Sequence, residues 1–187
     1  FWGLVLACSG ASASGSVLGV WQPQFIKSFG LSDFDTGLVN AIPYGIATVA
    51  MIVWGYHSDR TGERRWHTAV PLLLITLSTA LAAFAPSLSL VVLLLTCILS
   101  GAYCFKGPFW SLASGWLSPA SAAVGIAAIN ATANLIGGGL MVNVYAWVFE
   151  ATDSFALALA PLTLLTFASA ISIIAVERRS KQITLTA

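Results

Sequence analysis

The sequence predicts an all-α membrane protein with six transmembrane helices. Two features of the composition favour this fold class: hydrophobic residues make up 58% of the 187 residues, and charged residues make up only 8%. A water-soluble globule with this composition would have too few polar side chains to cover its exterior, whereas a lipid-facing exterior needs few. The third feature is that long uncharged runs alternate with short polar segments. The net charge of +1 argues against a nucleic-acid partner.

The length of the uncharged runs divides the chain into helices. A helix needs roughly 20 mostly apolar residues to cross a bilayer. The charge-free stretch from Thr68 to Phe105 is too long for one crossing, and Pro86 divides it; Pro119, which suits the first turn of a helix, divides the next run. The whole chain, residues 1–187, is then one domain with predicted spans at residues 2–26, 35–54, 67–85, 88–113, 119–147 and 154–176.

The second predicted span has a clear start and an internal break. Ser32 and Asp35 have the spacing of a capping box, and Asp33 places negative charge at the positive end of the helix dipole. Inside the span, Pro43 lacks a backbone donor and leaves the carbonyl of Val39 without its helical partner. This pattern fits either a plain structural kink or an interrupted helix of the kind found at transport sites.

Lysine and arginine residues predict the orientation of the spans. If residues 55–66 face the cytoplasm, only Lys27 lies on the opposite side. The cytoplasmic side then holds Arg60, Arg64, Arg65, Arg178, Arg179 and Lys181. This positive-inside bias places the carboxy terminus in the cytoplasm. The chain starts at Phe1, already within an apolar run and without a basic leader, so we expect it to be a fragment of a longer protein.

The most polar segment is the predicted cytoplasmic loop at residues 55–65, between the second and third spans. Gly55 would let the second helix approach a neighbour closely, and Gly62 would permit a tight turn. Asp59 and Arg60 could cap helix ends or pair with charges on an adjacent helix. Charge alone favours a static positive-inside anchor.

Four further side chains belong to this loop. Arg64 and Arg65 could bind lipid phosphate or carboxylates across a cytoplasmic seam. His57 and His67 flank the charged residues, and solvated histidines are the expected state at such a position.

The spacing Gly-x-x-x-Asp-Arg-x-Gly-x-Arg-Arg in this loop resembles the signature loop of the major facilitator superfamily of transporters. In that family the loop joins the second and third helices of a six-helix half, as it is predicted to do here. The resemblance implies that Asp59, Arg60 and Arg65 belong to a charge network that closes the cytoplasmic side, with Gly55 and Gly62 in structural roles. Glu63 stands where many copies have a basic or neutral residue, which leaves its pairing open.

Segments at residues 21–25, 41–44, 107–110 and 128–138 resemble the anion:cation symporter branch of this family. There they lie in the carboxy-terminal six helices, so the resemblance implies a missing amino-terminal half and a multi-pass protein of the bacterial inner membrane. It also implies secondary active transport of an organic anion, a carboxylate or sugar acid, together with a proton, by alternating access. It implies no cofactor and no metal. The alternatives are a carrier of another substrate, such as a sugar or a drug, and a non-transporting membrane subunit.

Three polar residues inside the spans are candidates for the transport pathway. Lys106 is the only ionisable residue deep within a predicted span, where its charge costs about 2.5–3.5 kcal/mol. It should therefore face a cavity, where it could attract an organic anion, or reach the headgroups. Asn130 and Asn134 share one helix face and could bind substrate or a neighbouring helix. The segments that resemble the family add Pro43, Tyr44 and Trp110 as further candidates.

The remaining motifs favour packing over chemistry. Ser9, Ser12 and Ser16 share a face that also carries the Gly15 and Gly19 pair, and this face is more typical of helix packing than of substrate contact. The three cysteines, Cys8, Cys97 and Cys104, are expected to be small apolar fillers.

An intramembrane protease is the main alternative from the enzyme class. Residues 10–13 superficially resemble a serine nucleophile motif, but such chemistry requires a buried histidine beside Ser12. Both histidines are predicted at the cytoplasmic edge, and the sequence has no HExxH, Walker A or CxxC motif. We therefore expect no catalytic residues and no enzyme activity.

Overall fold

The computed structural model describes residues 1–82, 84–118 and 120–186, with side chains up to residue 175. Within these ranges there is no strand, and the chain is all-α as predicted. The helices are α1 (Trp2–Lys27), α2 (Asp33–Thr61), α3 (Arg65–Ala82), α4 (Leu88–Trp116), α5 (Ala122–Asn134), α6 (Val142–Thr152) and α7 (Ala160–Thr186). A π-helical segment, Leu135–Met141, makes α5 and α6 one continuous span, and a 3₁₀ turn, Leu157–Leu159, precedes α7. The predicted helix start at Pro119 lies outside the described residues.

Five segments of the described chain are long and apolar enough to cross a membrane. They are Trp2–Lys27, Asp33–Thr61, Leu88–Trp116, Ala122–Thr152 and Leu157–Ala175. Helix α3 is not among these five segments. It has 18 residues, and its first turn contains Arg65 and His67, which shortens its apolar part. The second predicted span ends at residue 54, whereas α2 continues to Thr61. The polar residues after the apolar run remain helical until Gly62, whose left-handed conformation ends the helix.

The start of α2 confirms the predicted capping box. The Ser32 hydroxyl accepts a hydrogen bond from the Asp35 backbone N–H at 3.1 Å and donates to the Asp35 carboxylate at 2.7 Å. Lys27 Nζ lies 2.5 Å from the Asp33 carboxylate, which links the end of α1 to this start. Further along, Pro43 is buried inside α2, which is helical on both sides of it, so the interrupted-helix interpretation is wrong.

Helix α1 is the centre of the bundle and contacts α2, α3, α4, α5, α6, α7 and the π segment. It approaches α7 closely at Gly10, where an added Cβ would lie only 2.5 Å from Ser169 Oγ. Ser169 and Ser172 of α7 donate hydrogen bonds to α1 carbonyls, at 2.7 Å to Leu6 and 3.1 Å to Gly3. Small residues and short polar side chains thus hold the two helices together, as is usual in membranes.

The π segment also contacts α1 directly, through Gly137. A Cβ added to Gly137 would lie 2.5 Å from the Ala13 backbone nitrogen and 2.8 Å from the Ser12 carbonyl carbon. The predicted packing role of Gly15 and Gly19 is wrong for the described chain, since no atom lies within 4 Å of a Cβ at either position. The close helix contacts depend on other glycines.

We predict that Gly137→Ala destabilises the protein, because its methyl group must push the π segment away from rigid backbone atoms of α1. Overpacking of this kind typically costs about 1–3 kcal/mol. Gly139→Ala is the matched control, since its Cβ would meet only Leu135 Cδ1, at an ordinary 3.7 Å. Thermal unfolding of the intact transporter in detergent should show a lower midpoint for Gly137→Ala. Equal midpoints for the two variants would contradict the prediction.

Candidate functional site

A cavity of about 410 Å³ lies among α1, α4 and α5. Small-molecule sites usually have volumes of roughly 300–1,000 Å³, so this cavity is large enough for a small metabolite. Its polar lining consists of Ser12, Ser16, Tyr103, Lys106, Asn130 and Asn134. Aromatic walls are provided by Phe105 and Trp110.

Lys106 supplies the only charge in the lining of this cavity, within the part of the chain that the structure describes. Its Nζ lies 4.8 Å from the centre of the Tyr103 ring, a distance at which a cation and an aromatic face attract each other. The lining contains no carboxylate that would neutralise the ammonium group. The cavity is therefore suited to a negatively charged molecule.

Asn130 and Asn134 face the same cavity from α5. The Asn134 amide Nδ2 donates to the Asn130 backbone carbonyl at 2.9 Å and to its side-chain Oδ1 at 3.0 Å. These bonds orient the Asn134 side chain along its own helix. The Asn130 amide keeps its own donors, which hydroxyl or carboxylate oxygens in the cavity can accept.

The structure brings together four of the six predicted pathway residues: Lys106, Trp110, Asn130 and Asn134. Pro43 and Tyr44 do not line this cavity; Pro43 is buried within α2, and the partly buried Tyr44 packs against the hydrophobic core.

Three polar residues of the lining, Ser12, Ser16 and Tyr103, are not predicted as pathway residues from the sequence. Ser12 and Ser16 were assigned to helix packing, although their four-residue spacing on α1 is equally consistent with a cavity face. Tyr103 lies three residues before Lys106 on one face of α4, and this spacing is the sequence signal that places it beside Lys106.

The loop at residues 55–65 is held closed by hydrogen bonds that centre on Ser58 and Arg64. Arg64 Nη1 lies 2.7 Å from the Asp59 carboxylate and 2.9 Å from Ser58 Oγ, and Ser58 Oγ donates to the Glu63 carbonyl at 3.0 Å. Gly62 ends α2 in the left-handed conformation, with φ of 67°, and its N–H donates to the Ser58 carbonyl. A residue with a side chain would be strained there.

The other loop residues differ in part from their predicted roles. Within the described chain the Asp59 partner is Arg64 rather than Arg60 or Arg65. Arg65 instead reaches α7, where its Nη2 donates to the Ile174 carbonyl at 3.0 Å. The predicted close approach at Gly55 is not made by any described part of the chain, since nothing lies within 4 Å of a Cβ placed there.

Glu63, whose pairing was left open, caps the start of α3. Its two oxygens accept the backbone N–H groups of Trp66 at 2.7 Å and His67 at 3.1 Å. The second oxygen also lies 2.7 Å from His67 Nδ1. Partial burial by itself raises the pKa of the Glu63 carboxyl, but these hydrogen bonds to Trp66 and His67 together lower the pKa below its ordinary value.

The predicted solvation agrees with the exposed His57 but is wrong for His67, which is only 7% exposed. His67 Nε2 lies 2.7 Å from Nδ1 of the exposed His57, so the two rings share a hydrogen bond. The Trp54 ring packs against His67 at 4.9 Å, and Trp54 Nε1 donates to the His67 carbonyl at 2.9 Å. Contacts across the loop, which the sequence alone does not show, produce this burial.

The sequence profile of the Major Facilitator Superfamily matches residues 1–142 of this chain. The chain belongs to the Major Facilitator Superfamily. This assignment agrees with the loop after the second helix and with the six-helix architecture. It also identifies the fold as one half of a major facilitator fold.

Relatives of this superfamily member carry transporter names. A protein of Agrobacterium vitis named "Putative tartrate transporter" is 45% identical over 152 residues, which are 81% of this chain and 34% of that protein. The "Quinolone resistance transporter" of Acinetobacter baumannii is 32% identical over 124 residues, 64% of this chain and 28% of that protein. The chain thus spans about a third of the length of the curated relatives it matches.

A solved structure has the same fold. It is a bacterial homologue of the human lysosomal transporter Spinster in an inward-facing, occupied conformation, with a TM-score of 0.62 and 19% identity. The match covers 93% of this chain and 46% of that one. At this identity the likeness concerns the fold alone.

We predict that Glu63→Gln lowers the thermal midpoint at neutral pH, because the uncharged amide loses the charge-assisted bonds to α3. A carboxyl whose pKa is lowered on folding contributes stability above its unfolded value, 4.5 here, and loses it as pH falls through the folded pKa. The midpoint difference between wild type and Glu63→Gln should therefore be constant near pH 7 and shrink below about pH 4. Thermal unfolding over a pH series measures it, and a difference that grew on acidification would contradict the assignment.

Proposed function

We propose that this chain is the carboxy-terminal half of a secondary transporter that moves a small organic anion together with a proton by alternating access. The observation that carries the proposal is the single cation, Lys106, in a cavity whose described lining contains no carboxylate. A charge within a membrane span is costly, and such residues typically mark substrate or ion pathways. The superfamily membership supports transport as the class of activity.

The chemistry of the lining favours a hydroxylated carboxylate as the substrate. One carboxylate of such a molecule would bind Lys106, while its hydroxyl groups would exchange hydrogen bonds with Asn130 and with Ser12 or Ser16. Trp110 and Phe105 would cover its apolar carbon atoms. The relative named for tartrate, a dicarboxylate with two hydroxyl groups, supports this substrate class.

The second wall of the substrate site would come from an amino-terminal half. Apolar residues of α2 and of the α5–α6 span are largely exposed in the described chain, among them Leu38, Val49, Val124 and Trp147. Lipid covers some of this surface, and a second six-helix half would cover the part beside the cavity. This chain covers only 34% of the length of the relative named for tartrate, which supports a missing half.

The loop at residues 55–65 would act as the cytoplasmic gate. The pair joins the exposed Asp59 to the partly buried Arg64, and ion pairs at the protein surface contribute only about 0–1 kcal/mol, so the two side chains can separate. The orientation that puts this loop in the cytoplasm, in the bacterial inner membrane, rests on the lysine and arginine count. Three of the cytoplasmic charges, Arg178, Arg179 and Lys181, lie outside the described side chains.

A drug carrier is the second candidate, favoured by the relative named for quinolone resistance. Quinolones carry a carboxylate and an aromatic ring system, which Lys106 and Trp110 could also bind. Radiolabelled tartrate and a fluorescent quinolone, offered separately to proteoliposomes that contain the intact transporter, separate the two functions. Accumulation of tartrate driven by an inward proton gradient supports the symporter; quinolone extrusion without tartrate accumulation supports the drug carrier.

We predict that Lys106→Gln raises the KM for the transported anion about 10–100-fold, because a hydrogen bond to a charged group is worth about 1.5–3 kcal/mol. Initial rates of radiolabelled tartrate uptake into proteoliposomes measure KM and the maximal rate separately. Lys27→Gln is the matched control, since Lys27 pairs with Asp33 at the far end of α1, away from the cavity. Unchanged affinity in Lys106→Gln would remove the basis for an anion site here.

We predict that Asp59→Asn slows uptake severalfold while equilibrium substrate binding stays normal. The substitution removes the negative charge that attracts Arg64, so the ion pair that closes the proposed gate is lost. Asp153→Asn is the control. Asp153 has φ of 50°, a conformation that asparagine accepts, and it follows the end of α6, away from the loop at residues 55–65. Counterflow rates and substrate binding in detergent distinguish gating from binding. A parallel loss of binding in Asp59→Asn would argue against a gate.

A further inference from the structure

The proposed gate and cavity leave one cluster of side chains unused: His57 on α2, His67 on α3 and Glu63 between them. The His57 Nδ1 and His67 Nε2 atoms face each other at 2.7 Å. On its other side, His67 Nδ1 lies 2.7 Å from the Glu63 carboxylate. The three side chains are thus linked by hydrogen bonds, from the exposed His57 ring through the buried His67 ring to the Glu63 carboxylate.

Glu63 fixes the chemical state of His67. Its two oxygens accept the backbone N–H groups of Trp66 at 2.7 Å and His67 at 3.1 Å, so the carboxylate is an acceptor here. His67 Nδ1 therefore donates to it, and in the neutral ring the lone pair stands on Nε2, directed at His57. This carboxylate–histidine arrangement is the one that orients histidine ligands in metal sites.

We propose that His57 and His67 form a binding site for a divalent transition metal ion, with Glu63 as the residue that positions His67. Imidazole nitrogen is a good ligand for Cu²⁺, Ni²⁺ and Zn²⁺. The proposal does not depend on the substrate or on the gate.

The distance between the two nitrogens favours particular metals. With metal–nitrogen bonds of about 2.0–2.1 Å, two nitrogens at a right angle lie about 2.9 Å apart, and two at a tetrahedral angle about 3.3 Å apart. The observed 2.7 Å is closer to the right-angle value, which is that of the square-planar and octahedral geometries of Cu²⁺ and Ni²⁺. To admit the ion, the exposed His57 ring would move aside and turn, so that both lone pairs point at the metal instead of at each other.

The surroundings allow this movement on one side and resist it on the other. His67 is held by Glu63, by packing against the Trp54 ring at 4.9 Å, and by burial. His57 is exposed near the end of α2, and its Nδ1 proton can pass to its own Nε2, so that two neutral rings bind the ion without a redox step. In the described chain no three histidine, cysteine or acidic residues are arranged so that all three could hold one metal ion, so water would fill the remaining positions.

Cu²⁺ is the probe for the test. A tag-free preparation of the intact transporter in detergent is titrated with Cu²⁺, and electron paramagnetic resonance is recorded at equimolar metal. We expect hyperfine coupling to two imidazole nitrogens in the wild type and to one fewer in His57→Gln, with at least tenfold weaker binding. His57 is exposed, so this variant is expected to fold.

Two variants that each remove one loop carboxylate separate orientation from simple charge. Glu63→Gln should weaken Cu²⁺ binding about 10–100-fold, the usual effect of losing the group that orients a histidine ligand. Asp59→Asn should leave the affinity within about twofold, because the Asp59 carboxylate pairs with Arg64, whereas Glu63 is the carboxylate that accepts from His67. A Cu²⁺ spectrum without nitrogen coupling, or equal affinity in the wild type and His57→Gln, would show that the pair is only hydrogen-bonded and overturn the proposal. Equal losses in Glu63→Gln and Asp59→Asn would overturn the positioning role of Glu63.

Discussion

The direct contact of the α1 backbone with α7 and the π segment is the constraint on which the rest of the bundle depends. Lipid gives no hydrophobic driving force between helices, so the helices associate through close packing and hydrogen bonds. At Gly10 and Gly137, atoms of the neighbouring helix occupy the space that a side chain would need. Beside Gly10, Ser169 of α7 also donates a hydrogen bond to the Leu6 carbonyl of α1. Larger residues at these glycines would separate the helices that surround the cavity.

The same contact positions the polar lining of the cavity. Gly137, which follows Asn134 by three residues, packs against the Ser12–Ala13 peptide. Bringing these backbones together therefore places Ser12 of α1 and Asn134 of α5 in the lining of one cavity, opposite Lys106 of α4. Packing and function are coupled here, because the glycine that permits the closest approach lies one turn from a residue of the candidate site.

The two polar regions of the protein differ in how strongly their charges act. Lys106 lies in a membrane span, where a charge costs a few kcal/mol and therefore needs a compensating anion or a wet cavity. The Asp59–Arg64 pair lies at the end of α2, with Asp59 exposed and Arg64 partly buried, and ion pairs at the protein surface contribute little to stability. A costly isolated cation is suited to binding a counter-charge, whereas a surface pair already has its counter-charge.

The sequence by itself determined the fold class, the capping box at Ser32, the turn at Gly62 and that Lys106 needs a cavity or the headgroups, because composition, local hydrogen bonding and the cost of a charge in lipid act within a few residues. Only the tertiary structure decided which glycines make close contacts, that Asp59 pairs with Arg64, that Pro43 and Tyr44 stay out of the cavity, and that His67 is buried against His57. Each of these depends on which helix faces lie together. That choice is made by packing between segments far apart in the chain, on which periodicity and spacing carry no information.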